Sequence, residues 1–395
     1  MSQPRVTPSP SDPAILLLTP DLHGADGVSC VARQLARAVH AASSGPPPEI
    51  WVYADEARHD LVEAEVPGTV RSAAGRRGRL VRWALVRATS RCRRLLVIVA
   101  HARLAPLALP LVARGARLAI YLHGIEVWRP LSPLETATFR RAAVLLANSR
   151  HTVDGFRMAN PALAGAAIAI CPPGVSPIGT SGSRRTSSVP TVLTVGRLWA
   201  EERYKGHDQL FDIWPAVRQA VPAARLVIVG DGDDRPRLER RAAAEGLGGS
   251  VEFLGRVPRA RLEQAYRECD LFAMPSAREG FGLVFLEAMS AGKPCIGGTG
   301  GASEIIVDGD TGFVVDPADR EALRAALLRL LGDRDLRERM GSAGARRVAE
   351  CFTQAHAMRR MAGALGGLVS SGADVEAGKG DGEAARIGGC QGEER

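Results

Sequence analysis

The feature that most limits what this chain can fold into is an alternation that occurs twice. In the first half, short apolar runs stand at residues 15–19 (ILLLT), 50–54 (IWVYA), 95–100 (LLVIVA), 117–122 (RLAIYL), 143–147 (AVLLA) and 167–171 (AIAIC). Between them lie stretches with helical patterning, near 27–41 and 78–93, a short one after residue 100, and one opened by Asn148-Ser149. Runs this short and this continuously apolar predict strands covered on both faces, and strands separated by helices predict a parallel sheet. Pro172-Pro173-Gly174 ends the pattern, and residues 176–190, rich in Ser, Gly, Pro and Thr, read as a linker. A second series follows, with strands at 191–195, 225–229, 251–254, 271–274, 295–296 and 313–315. Its helices are expected near 206–220, 234–245, 258–267, 282–291, 317–331 and 334–350. The prediction is α/β: two doubly wound parallel-sheet domains in tandem. Such sheets bind ligands outside the carboxyl ends of their strands, so the expected site is a cleft that the two domains face.

Composition supports this and removes other classes. With 395 residues, 46% hydrophobic and 24% charged, the chain suits two globular domains and not a disordered or fibrous polymer. The formal net charge of +8 is unevenly held. Residues 1–185 carry 23 Arg, no Lys and 12 acids, a net +11, whereas the remainder is at −3. Seven scattered cysteines without a CxxC pair argue against a disulfide framework or structural zinc and for a reducing cytoplasm. Residues 1–13 are Pro/Ser-rich without an apolar centre, unlike a signal peptide, and read as a disordered tail. No run of about 18 apolar residues is present, so no membrane span is expected. From about residue 372 the chain again reads as a disordered tail.

The second domain holds most of the chemistry. Gly196-Arg197-Leu198 follows the strand at 191–195, and Lys205-Gly206 opens the next helix. Two cations on one strand-to-helix loop suit a diphosphate, helped by a helix N-terminus; the plainer reading is a solvated loop. Gly230-Asp231-Gly232-Asp233 directly follows a strand, where a nucleotide can lie against backbone, or where a plain turn suffices. In Pro275–Met289 (PSAREGFGLVFLEAM), Glu279 lies on the loop, and Gly280 and Gly282 bracket Phe281 at the mouth of a helix whose free amides can take phosphate or sugar oxygens. Glu287, among Leu283, Val284, Leu286 and Met289, is expected to be enclosed and therefore to need partners. A ribose diol or a neighbouring Arg would serve.

In the first domain, His123-Gly124 follows the strand at 117–122, where the imidazole could donate a hydrogen bond or move a proton, or be merely structural. Gly24-Ala25-Asp26-Gly27 follows the first strand and opens a helix. Residues 71–94 contain nine Arg interleaved with Leu80, Val81, Trp83, Leu85 and Val86. A basic amphipathic helix of this kind fits an anionic membrane surface; a solvated helix face is the plainer reading, and nucleic acid is not expected because no RNA-binding aromatic signature is present.

Taken together these motifs resemble glycosyltransferase family 4, the retaining sugar-nucleotide enzymes of GT-B fold, over about residues 14–365. The E-x7-E element Glu279–Glu287 is the most specific, and GRL…KG, GDGDD, GGASEIIVDGDTGFVV at 300–315, HGIEVW at 123–128 and CPPGV at 171–175 follow the family order. The resemblance implies Rossmann-like domains at 14–175 and 191–351, with a helix near 352–366 returning to pack on the first. It implies that Arg197 and Lys205 hold the donor diphosphate. Glu279 and the amides of Gly280, Phe281, Gly282 and Leu283 would hold the donor sugar and phosphate. Glu287 would grip the ribose; Gly230, Asp231 and Val257 would border the base; His123 would orient the sugar; and Gly27 would admit the phosphate. It further implies no cofactor and no catalytic metal, an acceptor that is a sugar or lipid-linked sugar in polysaccharide or glycolipid synthesis, and a location at the inner membrane face. Two departures stand out. The first loop lacks the common double-glycine form, and Trp199-Ala-Glu-Glu-Arg-Tyr204 lengthens the GRL-to-KG spacing. An epimerase or phosphorylase of the same fold, and a non-catalytic basic binding protein, are the alternatives.

Overall fold

The structure is a computed structural model that describes residues 13–54, 66–90, 92–179 and 189–369. The two expected tails, except Pro13, and the middle of the expected linker, 180–188, lie outside these residues. The chain divides into two compact units, residues 1–173 with 354–395, and residues 174–353.

The first unit is built on β1 (Ala14–Thr19), β2 (Glu49–Val52), β3 (Thr69–Ser72), β4 (Leu95–Val99), β5 (Arg117–Leu122), β6 (Val144–Ala147) and β7 (Ile168–Ile170), in the spatial order 3-2-1-4-5-6-7 with every pairing parallel. Its helices are α1 (Gly27–Ala42), α2 (Arg77–Arg87), α3 (Leu109–Ala113), α4 (Pro133–Phe139) and α5 (Arg150–Ala159). Capping fixes where they start. Asp26 accepts the Ser29 amide at the head of α1, Ser149 accepts that of Thr152 at the head of α5, and Ser132 and Glu135 form a capping box on α4. Leu16, Leu18, Val97, Val99, Ile120 and Leu122 feed one side of the sheet. Leu17, Ile98, Ala119 and Tyr121 feed the other, where α1 lies. That is the period-2 alternation of strands buried on both faces.

Two sequence expectations need correction here. β3 was not anticipated, because TVRS has no apolar run. It is an edge strand, mostly exposed, and needs none. The Arg-rich helix ends at Arg87 rather than near 93. Thr89 turns its hydroxyl back onto the Val86 carbonyl (2.7 Å) and buried Cys92 leads the chain into β4, so the last turns of that stretch cannot stay helical.

The second unit carries β8 (Thr191–Val195), β9 (Arg225–Val229), β10 (Val251–Gly255), β11 (Leu271–Met274), β12 (Cys295–Gly298) and β13 (Gly312–Val315), ordered 10-9-8-11-12-13 and again parallel throughout. Helices α6 (His207–Ala220), α7 (Arg235–Ala244), α8 (Arg259–Glu268), α9 (Leu283–Ser290), α10 (Arg320–Gly332) and α11 (Arg334–Cys351) cover it. Leu210, Phe211, Trp214, Leu226, Ile228, Leu271 and Leu327 fill its core. In both units the order reverses beside the first strand, the switch point at which such sheets hold ligands.

The last described helix, α12 (Gln354–Val369), returns to the first unit. Its Met361, Leu365 and Leu368 pack with Val31 and Leu35 of α1, and Arg117 donates to the Gly367 carbonyl.

Candidate functional site

In the second unit, four loops at the carboxyl ends of β8, β9, β11 and β12 pack onto one another through glycines. Gly230 (φ +141°) lies against the Gly196 carbonyl so closely that a Cβ there would stand 1.8 Å from that oxygen. The two turns are also tied by Leu198 N–H to Asp231 O (3.0 Å) and Asp234 N–H to Leu198 O (2.8 Å). Gly206 (φ +91°) sits on Pro275, and Ala277 N–H donates to the Tyr204 carbonyl at 2.8 Å. Gly301 N–H donates to the Glu279 carbonyl at 3.0 Å. The GRL, KG, GDG and EGFG segments are therefore one construction.

Three of the residues selected from the sequence meet inside it. The Lys205 ammonium is 3.5 Å from Glu279 Oε2 and 3.9 Å from Glu202 Oε2. Arg197 forks onto the same Glu202 through Nε (3.1 Å) and a terminal nitrogen, and its guanidinium lies over the Trp199 ring at 4.6 Å. The long GRL-to-KG spacing is taken up by a 3-10 segment, Ala200–Lys205, which turns the buried Glu202 inward. Sequence reasoning treated residues 199–204 as a spacer and missed Glu202. The adjacent acids Glu201-Glu202 between the two cations were the available signal. Glu202 thus joins Arg197 and Lys205 through one carboxylate.

Beside them, α9 begins at Gly282 (φ +100°), a conformation that favours glycine. The amides of Leu283 and Val284 stand at a helix start, where no earlier turn supplies acceptors. Gly280 and Phe281 are buried beneath this loop. Behind Lys205, the first residue of α6 is His207. It is 5% exposed, its Nε2 is buried without a partner, and burial pushes its pKa down to about 4. Arg203 and Arg237 converge on Asp234, and Arg237 and Arg241 on Asp208, holding both carboxyls below their ordinary range and tying the loop to α6 and α7.

Glu287 stands on α9 with both oxygens engaged. Arg259 of α8 donates to Oε1 and the buried Tyr266 hydroxyl to Oε2 at 2.9 Å. The neighbouring Arg is thus present; each carboxylate oxygen keeps a further lone pair. Val257, half-buried, lies two residues before Arg259. Asp231 is half exposed; one oxygen takes its own loop's Gly232 amide and the other lies 3.5 Å from Arg235.

The first unit holds the other two selected residues. Gly27 is the first residue of α1, directly after the Asp26 cap. His123 follows β5. Its amide donates to the buried Glu126 carboxylate (2.6 Å), its carbonyl accepts from Asn148 Nδ2 (2.6 Å), and its ring lies 4.9 Å from that of Tyr121 and 5.7 Å from that of His101. His101, at the carboxyl end of β4, was not singled out from the sequence.

The expected membrane helix is only partly as anticipated. Trp83 turns inward, edge-on to Trp51 (5.7 Å) and capped by Arg71 at 4.6 Å. Exposed instead are Val70, Val81, Leu85 and Val86, with Arg76, Arg77, Arg79 and Arg82 around them. Arg91 lies outside the described residues. Among the described residues no helix is long and apolar enough to cross a membrane, no cluster of three or more His, Cys, Asp or Glu is placed to hold a metal ion, and Cys92, Cys171, Cys269 and Cys295 are free thiols.

Comparison with known proteins agrees with this construction. The pattern of the glycosyl transferases group 1 family matches residues 182–347. A GDP-mannose-dependent alpha-(1-6)-phosphatidylinositol monomannoside mannosyltransferase of Mycolicibacterium smegmatis is 35% identical over 267 residues, 61% of this chain and 68% of that protein. The Mycobacterium tuberculosis protein of the same description is 34% identical over 256 residues, 59% of this chain and 65% of that protein. The match thus spans about two thirds of each relative. Among solved structures, Anabaena HepE in complex with UDP superposes with a TM-score of 0.74 at 23% identity, over 90% of this chain and 100% of that one. At that identity the likeness speaks for the fold.

Two parallel-sheet units, with glycine turns at their strand ends, define the GT-B class of glycosyltransferase. The chain belongs to the glycosyl transferases group 1 family, glycosyltransferase family 4, and is a hexosyltransferase. The comparisons lend no support to an epimerase, a phosphorylase or a non-catalytic basic protein.

Proposed function

We propose that the chain transfers a hexosyl group, with retention of configuration, from a nucleoside diphosphate sugar to a hydroxyl of a lipid-linked acceptor at an anionic membrane surface. The observation that carries the donor half is the cluster in which Lys205 reaches Glu279, 74 residues further along the chain, at 3.5 Å, and shares Glu202 with Arg197. Arg197 and Lys205 hold the diphosphate and neutralise the charge that grows on it as the glycosidic bond breaks; each charge-assisted bond contributes about 1.5–3 kcal/mol. Stabilising developing charge is the main demand of such a transfer, and the proposal gives that work to these two cations rather than to a metal ion or cofactor. Glu279 and the amides of Phe281, Gly282 and Leu283 at the head of α9 take sugar hydroxyls and phosphate oxygens, Glu287 the ribose, and Gly230, Asp231 and Val257 the base. His123 orients a sugar, and Gly27 gives a phosphate access to the head of α1. With the leaving phosphate able to take the acceptor proton, no enzymic nucleophile is required, so Glu279 and Glu287 are not cast as a glycosidase pair.

The mycobacterial relatives suggest GDP-mannose as donor and a phosphatidylinositol glycolipid as acceptor. The acceptor half is supported by α2, which exposes Val81, Leu85 and Val86 together with Arg77, Arg79 and Arg82. Apolar side chains entering the interface while Arg meets anionic headgroups would bring a lipid acceptor to the enzyme from the cytoplasmic side. The test is GDP release from GDP-mannose, with vesicles containing phosphatidylinositol monomannoside added or withheld. Vesicle-dependent release with an α-linked product supports the proposal. Release that ignores vesicles, or a β-linked product, contradicts it.

A further inference from the structure

The two imidazoles at the carboxyl edge of the first unit's sheet are fixed in the same tautomer and leave complementary ring nitrogens open. His123 Nε2 lies 2.7 Å from the Ala100 carbonyl. A carbonyl only accepts, so Nε2 carries the proton and Nδ1 of the neutral ring is a bare lone pair. In His101 the other ring nitrogen is engaged. Its Nδ1 accepts the Arg103 amide at 3.3 Å, so Nδ1 is unprotonated and the neutral ring carries its proton on Nε2. Burial, with the His123 and Arg103 charges, outweighs Glu126 and Asp26 and pushes the His101 pKa down to about 4, so the ring is neutral in ordinary buffers. The rings stack at 5.7 Å and 27°. Among the described residues, neither His101 Nε2–H nor His123 Nδ1 has a protein partner.

We propose that His101 is a second sugar-recognition residue of this unit, its Nε2–H donating to a sugar hydroxyl whose own proton, or that of its neighbour on the ring, goes to His123 Nδ1. One donor beside one acceptor suits an alcohol, which is both. A dianionic phosphate would meet the His123 lone pair without a proton to offer it, and a metal ion would find one lone pair where it needs several. The inference rests on the proposed sugar transfer. The hydroxyl can belong to the donor sugar or to the acceptor, and the experiment separates them.

Two variants divide the roles of His101. His101→Asn can still cap the Arg103 amide but has no group at the Nε2 position, whereas His101→Gln places an amide N–H near it. Affinities for GDP and GDP-mannose, and the KM for vesicles containing phosphatidylinositol monomannoside, are measured on each. The expected result is unchanged GDP affinity in both variants and about a tenfold loss in His101→Asn, largely restored in His101→Gln. The loss falls on GDP-mannose affinity if the hydroxyl is the donor's and on the vesicle KM if it is the acceptor's. Unchanged values on both axes in His101→Asn overturn the proposal. Nitrogen-15 spectra of the imidazoles at neutral pH give an independent reading. Protons on Nε2 of both rings support it, and a proton on Nδ1 of either overturns it. Should the wild-type enzyme bind neither GDP nor GDP-mannose, the donor reading fails, and the tautomers still decide this inference.

Discussion

His207 should make the second unit acid-sensitive. This histidine opens α6 directly after Lys205-Gly206 and is enclosed, with its Nε2 lacking a partner. Desolvation, aided by the Lys205 charge, takes its pKa from 6.5 to about 4. Between those values the unfolded chain binds a proton that the folded one refuses, so stability falls as pH drops from about 6.5 toward 4 and is fully present above 6.5. A gap of about 2.5 units, at about 1.4 kcal/mol per unit, makes the loss about 3 kcal/mol. His207→Phe keeps a flat ring and removes the titration and the orphaned nitrogen. Urea unfolding of wild type and variant at pH 7.5 and 4.5 measures the difference. The depressed Asp208 and Asp234 also titrate in the acid range, but in both proteins, so they largely cancel. The expected result is similar stability at pH 7.5 and a variant about 2–3 kcal/mol less acid-sensitive. Equal acid losses in the two proteins would refute the reasoning.

Other substitutions probe the same construction. Gly230→Ala places a Cβ on the Gly196 carbonyl at a φ suited to glycine, and is expected to lower stability by more than about 3 kcal/mol in thermal unfolding. Tyr266→Phe removes one of the two donors to Glu287, and a loss of about 1–3 kcal/mol, read by urea unfolding, is expected from the partly buried carboxylate. Val81→Ser with Leu85→Ser is expected to leave the circular dichroism spectrum unchanged, since both side chains are exposed, and to reduce sedimentation with anionic vesicles. EDTA is expected to leave the transfer rate unchanged under the proposal that Arg197 and Lys205 carry the charge of the departing diphosphate.

The sequence made the fold legible where burial forces a period. Each strand of the second unit was visible as a short apolar run, and its glycine turns marked the carboxyl ends. β3 was invisible because an edge strand with exposed Thr69, Val70 and Arg71 obeys no such constraint. Arg197, Lys205 and Glu279 were selected because they stand on glycine loops after strands in the order that the family resemblance implies. Glu202 left only the signal of two adjacent acids between the cations, and His101 was not singled out, because their importance lies in tertiary partners. Glu202 matters through the two side chains it joins, and His101 through the amide that sets its tautomer. The partner of Glu287 was open for the same reason. Arg259 and Tyr266 come from a different helix, 28 and 21 residues earlier in the chain.

The central claim is that the second unit grips the diphosphate of a sugar nucleotide through Arg197 and Lys205. Calorimetric titration of GDP into wild type, Arg197→Ala and Lys205→Ala tests it most directly. The account expects measurable binding to wild type and a loss of about 1.5–3 kcal/mol, roughly 10- to 150-fold, in each variant without a change in unfolding temperature beyond a few degrees. Undiminished GDP affinity in both variants would contradict it.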